Sequence, residues 1–99
     1  MGLLSWLGFE RRAKRLNLDL ALKVLVDEAQ AFGLPNRDIA NVNDMLEYAE
    51  HECAFDILVV QLYEYSISIT EQYYQQVKAV AEALDSPEQQ FNFIKELIR

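Results

Sequence analysis

The chain is expected to fold as an all-α domain, a compact bundle of four to five short helices with an additional amphipathic helix at its N-terminus. Three observations predict this. Apolar residues recur at three- and four-residue spacing through most of the chain. Helix start and stop signals separate those stretches. The 99 residues, 52% hydrophobic and 25% charged, suit one globular core.

Residues 1–16 form the first element. Leu3, Leu4, Trp6, Leu7 and Phe9 precede Arg11, Arg12, Lys14 and Arg15, the composition of an interfacial amphipathic helix. Such a segment either packs on the bundle as a short extra helix or serves a membrane surface or self-association. It differs from a secretory signal, which carries its basic residues before a longer apolar run. No stretch of about 20 apolar residues, the length a transmembrane helix needs, occurs in the chain. A cytoplasmic setting is expected, and residues 17–99 are taken as the helical domain proper.

In that domain, Leu18–Phe32 places Leu22, Leu25, Val26 and Ala29 on one stripe. Gly33 then suits a left-handed helix end, and Pro35 prevents continuation. A second helix is expected over 36–50, with Ile39, Val42, Leu46 and Ala49 inward and Asp38, Asn41, Asp44 and Glu47 outward. A third, over 53–65, is apolar on most sides (Phe55, Ile57, Leu58, Val59, Val60, Leu62), which marks the most buried helix of a bundle. Tyr63 to Thr70 alternates apolar and polar residues. With no partner strand in so helical a chain, 66–69 is read as an extended connection. Ser68-Ile69-Thr70-Glu71 has capping-box spacing, and Ile69, Tyr73, Val77, Val80 and Leu84 trace one face of a fourth helix. Ser86-Pro87-Glu88-Gln89 reads as a further helix start, followed by Phe91, Ile94, Leu97 and Ile98. No internal repeat is present.

The net charge of −7 is unevenly distributed. Residues 1–23 carry five basic against two acidic groups, a net +3, whereas residues 24–99 carry four against fourteen, a net −10. Phosphate backbones are repelled by most of such a surface, so direct nucleic-acid binding is not expected. A cationic protein partner is attracted, and its encounter accelerated. The densest acidic stretch is 44–64, where Asp44, Glu47, Glu50, Glu52, Asp56 and Glu64 occur without any Lys or Arg. At 100° per residue, Glu52, Asp56, Val60 and Tyr63 share a stripe of the third helix. Acids around an aromatic suit an interface, the ring anchoring and the charges steering. A solvated helix face is the simpler reading of the same residues. We take Asp44, Glu47, Tyr48, Glu50, His51, Glu52, Asp56, Tyr63 and Glu64 as the candidate partner-binding group. Of the five tyrosines, not all fit a core.

Catalysis finds little support. His51 is the only histidine, and Glu47 precedes it by four residues, a spacing that could pair two metal ligands. No second histidine or suitably placed cysteine completes a site, so neither a metal nor a cofactor is expected. A lone histidine without a nucleophile elbow provides no triad. Phosphate-cradling glycine loops are missing, the glycines being Gly2, Gly8 and Gly33. Cys53 has no disulfide partner in the chain and is expected to be a buried core residue.

The middle of the chain resembles the MafI-type immunity proteins, small helical bacterial proteins that neutralise secreted polymorphic or contact-dependent toxins. The resemblance spans roughly residues 35–84. It rests on the run Asn41–Glu47, on Ala49–Leu58, on Gln61-Leu62-Tyr63-Glu64, and on Ile67-Ser68-Ile69-Thr70 with Tyr73. Glu50, Ala54, Leu58, Gln61, Leu62 and Glu64 match the family pattern, whereas Ala49 and Glu52 stand where it usually has glycine. The resemblance implies a non-enzymatic cytoplasmic antidote that covers or distorts the active site of a cognate toxin. Many such toxins are basic nucleases, and an EndoU-type RNase is the expected class. The alternative from the residues alone is a membrane-surface or scaffolding module acting through residues 1–16.

Overall fold

The computed structural model describes the backbone from residue 3 onward and the side chains from Asn17 onward. It is all-α. Helices α1 (Leu3–Phe32), α2 (Asn36–Glu47), α3 (His51–Glu64) and α4 (Glu71–Ala83) are followed by two 3-10 segments, Glu88–Gln90 and Asn92–Leu97. The expected start of the first domain helix near Leu18 is replaced by one continuous helix from Leu3. The amphipathic reading of residues 1–16 concerns side chains outside the described residues. Among the described residues no helix is long and apolar enough to cross a membrane.

The core forms where the periodic faces converge. Leu22, Leu25, Val26 and Ala29 of α1 meet Val42 and Leu46 of α2, Phe55, Leu58, Val59 and Leu62 of α3, and Tyr73, Val77 and Val80 of α4, all buried. Helix α3 packs on α1, on α2 and on the second 3-10 segment, the central position its composition predicts. Inside the core the Tyr73 hydroxyl donates to the Leu25 carbonyl at 2.8 Å and ties α4 to α1. Burial, and then the charge of Glu28, hold the Tyr73 phenol well above the usual tyrosine range.

All four helices end in the same way. The residue after the C-cap takes a left-handed conformation at Gly33 (φ 116°), Ala49 (58°), Ser66 (49°) and Asp85 (55°). The next amide then reaches back to a carbonyl in the last turn: Leu34 to Ala29, Glu50 to Met45, Ile67 to Leu62 and Ser86 to Ala81, at 2.9–3.0 Å. These are Schellman ends. Only Gly33 announces one in the sequence, because a side chain disfavours positive φ. The other three shift the expected helix boundaries. The second stops at Glu47 instead of Glu50, and the third begins at His51. Ala49, expected on the inward face, is an exposed junction residue.

Other expectations change for local reasons. Asp38, assigned outward by its polarity, is 3% exposed. It precedes Val42 by four residues and so lies on the inward arc, where Gln61 Nε2 of α3 donates to its Oδ1. Cys53 is exposed, not buried. The cap of α4 is Thr70, not Ser68: its hydroxyl accepts from the Tyr73 amide at 3.0 Å. The extended connection does find a partner, because Ile69 pairs in parallel with Ile98. Its amide donates to Leu97 O, and Arg99 N–H donates to Ile69 O, both at 3.0 Å.

The last predicted helix is two 3-10 pieces separated at Phe91, whose φ of −143° interrupts the turn. Phe91, Ile94 and Leu97 recur at a strict spacing of three. In 3-10 geometry that spacing superposes side chains on one face, and all three are buried.

Candidate functional site

The acidic candidates fall on α2, α3 and the turn between them. Asp44 and Glu47 are exposed on α2, Tyr48 is its C-cap and Glu50 the N-cap of α3. On α3, the stripe of Glu52, Asp56, Val60 and Tyr63 lies in solvent along its whole length, and Glu64 ends the helix, also exposed. The stripe is exposed because Phe55, Leu58, Val59 and Leu62 occupy the opposite side of the helix and fill the core.

Tyr48 is 77% exposed, the most of any large apolar or aromatic side chain described. Tyr63 and Tyr65 are each 42% exposed, whereas Tyr73 and Tyr74 are buried. This agrees with the sequence-based placement of Tyr48 and Tyr63 outside and Tyr73 inside, and adds Tyr65 to the first set and Tyr74 to the second. Tyr63 leans on the Phe93 ring, with centroids 5.2 Å apart, and its hydroxyl lies 3.4 Å from Glu96 Oε2. An aromatic held in place on one side and open on the other is preorganised as a contact residue.

His51 differs from the rest of the group. Its side chain is 12% exposed, and Nε2 lies 3.5 Å from Asp19 Oδ1 on α1. Lys23 also meets Asp19, at 2.9 Å. The Lys23 contact foremost, with His51 contributing, lowers the Asp19 carboxyl below the usual range. His51 thus pins the start of α3 to α1. The Glu47–His51 spacing does not pair them as helical neighbours, because the α2–α3 turn falls between the two residues. Among the described residues no three His, Cys, Asp or Glu side chains converge as a metal site would need.

Among the described residues the ion pairs are those of Asp19 with Lys23 and His51. Asp44, Glu47, Glu50, Glu52, Asp56 and Glu64 are therefore without a cationic neighbour there. The Asp56 carboxyl is raised above the ordinary range, first by partial burial and then by the charge of Glu52. Beside these two, a depression of about 320 Å³ is floored by Phe55 and Pro87 and closed by Asp85 and Ser86. Asp85 joins the acidic face only through the fold, since it lies 29 positions after Asp56 in the chain. The arrangement can receive a lysine or arginine side chain, with carboxylates around its head and an aromatic wall beside its stem.

A second surface of a different kind lies between α1 and α4. It is an open groove of about 400 Å³ lined largely by apolar side chains, including Leu18, Ala21, Val24, Ala79 and Ala83. Nothing in the sequence marks it, because alanine positions carry no interface signal until two helices are placed side by side. No family model matches the chain, and no curated protein or solved structure matches it either.

Proposed function

We propose that this protein is an immunity protein. It would bind a cognate antibacterial toxin in the bacterial cytoplasm and neutralise it by laying the acidic face of α2 and α3 over a basic active-site cleft. The observation that carries this reading is the exposed run of carboxylates from Asp44 to Glu64, unpaired among the described residues, with Tyr48 and Tyr63 set among them. Leaving like charges adjacent costs folding stability; the Asp56 carboxyl is raised first by partial burial and then by the charge of Glu52. A cationic partner turns that cost into complementarity and a fast encounter. The resemblance over residues 35–84 supports the same class, and a nuclease of the EndoU type is the toxin we assign to it. Inhibition requires no chemistry from the immunity protein, only coverage.

The test is to mix the protein with an EndoU-type nuclease domain, taken from a neighbouring reading frame where one encodes it, and measure RNA cleavage. Stoichiometric loss of cleavage, with co-elution of the two proteins, is expected. A nuclease that retains full activity in the presence of excess protein would remove the proposal.

A further inference from the structure

The second 3-10 segment, Asn92–Leu97, brings side chains to Tyr63 that the α3 stripe lacks. In 3-10 geometry residues three apart share a face. Ile94 and Leu97 take the buried face of the segment. Phe93 and Glu96 therefore share a second face, and Asn92 and Lys95 a third. The second face meets Tyr63: the two rings lie 5.2 Å apart, tilted by 51°, and the Tyr63 hydroxyl is 3.4 Å from Glu96 Oε2. That length is beyond the usual O–H···O range, so the carboxylate stands at the edge of the ring without being tied to the hydroxyl. Val60, 44% exposed, precedes Tyr63 by one helical turn. Asp56 and Glu64, four residues to either side of Val60, are exposed beside it.

These side chains meet the needs of one kind of occupant. Val60 can receive an aliphatic stem, the open side of the Tyr63 ring a cation lying flat on it, and Glu96 that cation's N–H groups. Arginine satisfies all of these together, because its guanidinium is planar, weakly hydrated and carries donors in fixed directions. A lysine ammonium is compact and strongly hydrated, and it has no plane to stack. Among the described residues neither Lys95 nor Arg99, the cations nearest to Glu96 in the chain, forms an ion pair. We infer that Val60, Tyr63 and Glu96 seat one arginine side chain of a cationic protein partner, its guanidinium stacked on the Tyr63 ring. The inference rests on the acidic face being a docking surface, as proposed above, and names the side chain that the partner brings to it. Phe93 holds the ring before the partner arrives, which lowers the ordering cost of association.

The probes are hexa-arginine and hexa-lysine peptides, which carry equal charge. In an NMR titration of the full chain at low salt, hexa-arginine is expected to bind several-fold more tightly than hexa-lysine. It should also shift the Tyr63 ring and Val60 methyl resonances. Tyr63→Leu keeps an apolar side chain but removes the aromatic face, and should diminish that preference. If Tyr63→Leu fails to fold, Glu96→Gln provides the second measurement, since Glu96 is exposed. It should weaken hexa-arginine several-fold and hexa-lysine less. Equal binding of the two peptides overturns the inference, as does a preference undiminished in Tyr63→Leu or equal losses for the two peptides in Glu96→Gln. Hexa-citrulline, the uncharged isostere of hexa-arginine, also overturns it by binding as tightly, because the seat is then apolar only. Tyr63 resonances that move with protein concentration alone assign the patch to a second copy of the chain and overturn it likewise. No nuclease enters this titration. A toxin domain that stays active beside this protein therefore removes the proposed function, while the arginine seat stands or falls on the peptides.

Discussion

The two surfaces of this molecule, the acidic face of α2 and α3 and the apolar groove of α1 and α4, are built in opposite ways. On the acidic face the helices are closely packed beneath, with Phe55, Leu58, Val59 and Leu62 all at 0% exposure, and the side chains above them project into water. Among the described residues the carboxylates there crowd without cations, so the surface is poorly satisfied electrostatically and well supported mechanically. In the groove the deficit lies in packing. Small side chains leave the space between two helices unfilled, and among the described residues a buried acceptor lacks a donor. The first kind of surface draws a partner from a distance and sets its orientation, since charge acts over a Debye length of about 8–10 Å. The second rewards only what fits inside it.

The largest expected effect is on the scaffold of the acidic face. Phe55 is completely buried and meets the Phe91 ring edge-on, with centroids 6.3 Å apart. Phe55→Ala should cost about 3–5 kcal/mol, read by urea denaturation. A cost below about 1 kcal/mol would show that the acidic face does not depend on this packing.

Charge reversal separates surface from scaffold. Glu47→Lys, Glu50→Lys and Asp56→Lys together should leave the circular-dichroism spectrum unchanged. The association rate with a cationic nuclease domain should fall by about tenfold or more at low salt. An unchanged rate alongside an unchanged spectrum would remove these residues from the docking surface.

Effects of about 1 kcal/mol are expected at two further positions. Tyr73→Phe deletes the bond to Leu25 O between α1 and α4 and should cost about 1 kcal/mol. Ala49→Gly should stabilise by about 0.5–1 kcal/mol, because glycine adopts φ 58° without the Cβ clash. A loss of stability at Ala49→Gly would contradict the helix-end geometry between α2 and α3.

The smallest effect depends on pH. The Asp56 carboxyl is raised, so its ionisation opposes folding at neutral pH, and that opposition fades as pH falls through its folded value. Asp56→Asn should therefore raise Tm slightly at pH 7 and leave it unchanged at about pH 3, below the unfolded value. The same variant should slow association with a cationic partner. Faster association would reverse the role assigned to Asp56.

Much of this architecture follows from residue order alone. The helical stripes of α1, α3 and α4 and the acidic stripe of Glu52, Asp56, Val60 and Tyr63 follow from a 3.6-residue period, and the break at Gly33-Leu34-Pro35 from the backbone preferences of glycine and proline, both local properties of the chain. Three kinds of decision required the fold. Helix ends at Ala49, Ser66 and Asp85 depend on positive φ in residues that do not advertise it, and tertiary packing supplies the energy that holds them there. Polarity misplaced Asp38 because a carboxylate can be buried once a distant residue, Gln61, donates to it. The spacing of three in Phe91, Ile94 and Leu97 was compatible with an α-helix until Ile98 was drawn to Ile69, after which only the tighter 3-10 turn kept all three in the core.

The same division applies to the surfaces. Charge is additive along a chain, so the acidic stretch and its lack of Lys and Arg could be counted directly. Burial and enclosure depend on which helices meet. The fold alone decided that Tyr65 faces solvent while Tyr74 does not, that Asp85 joins Glu52 and Asp56, and that alanines of α1 and α4 enclose a groove.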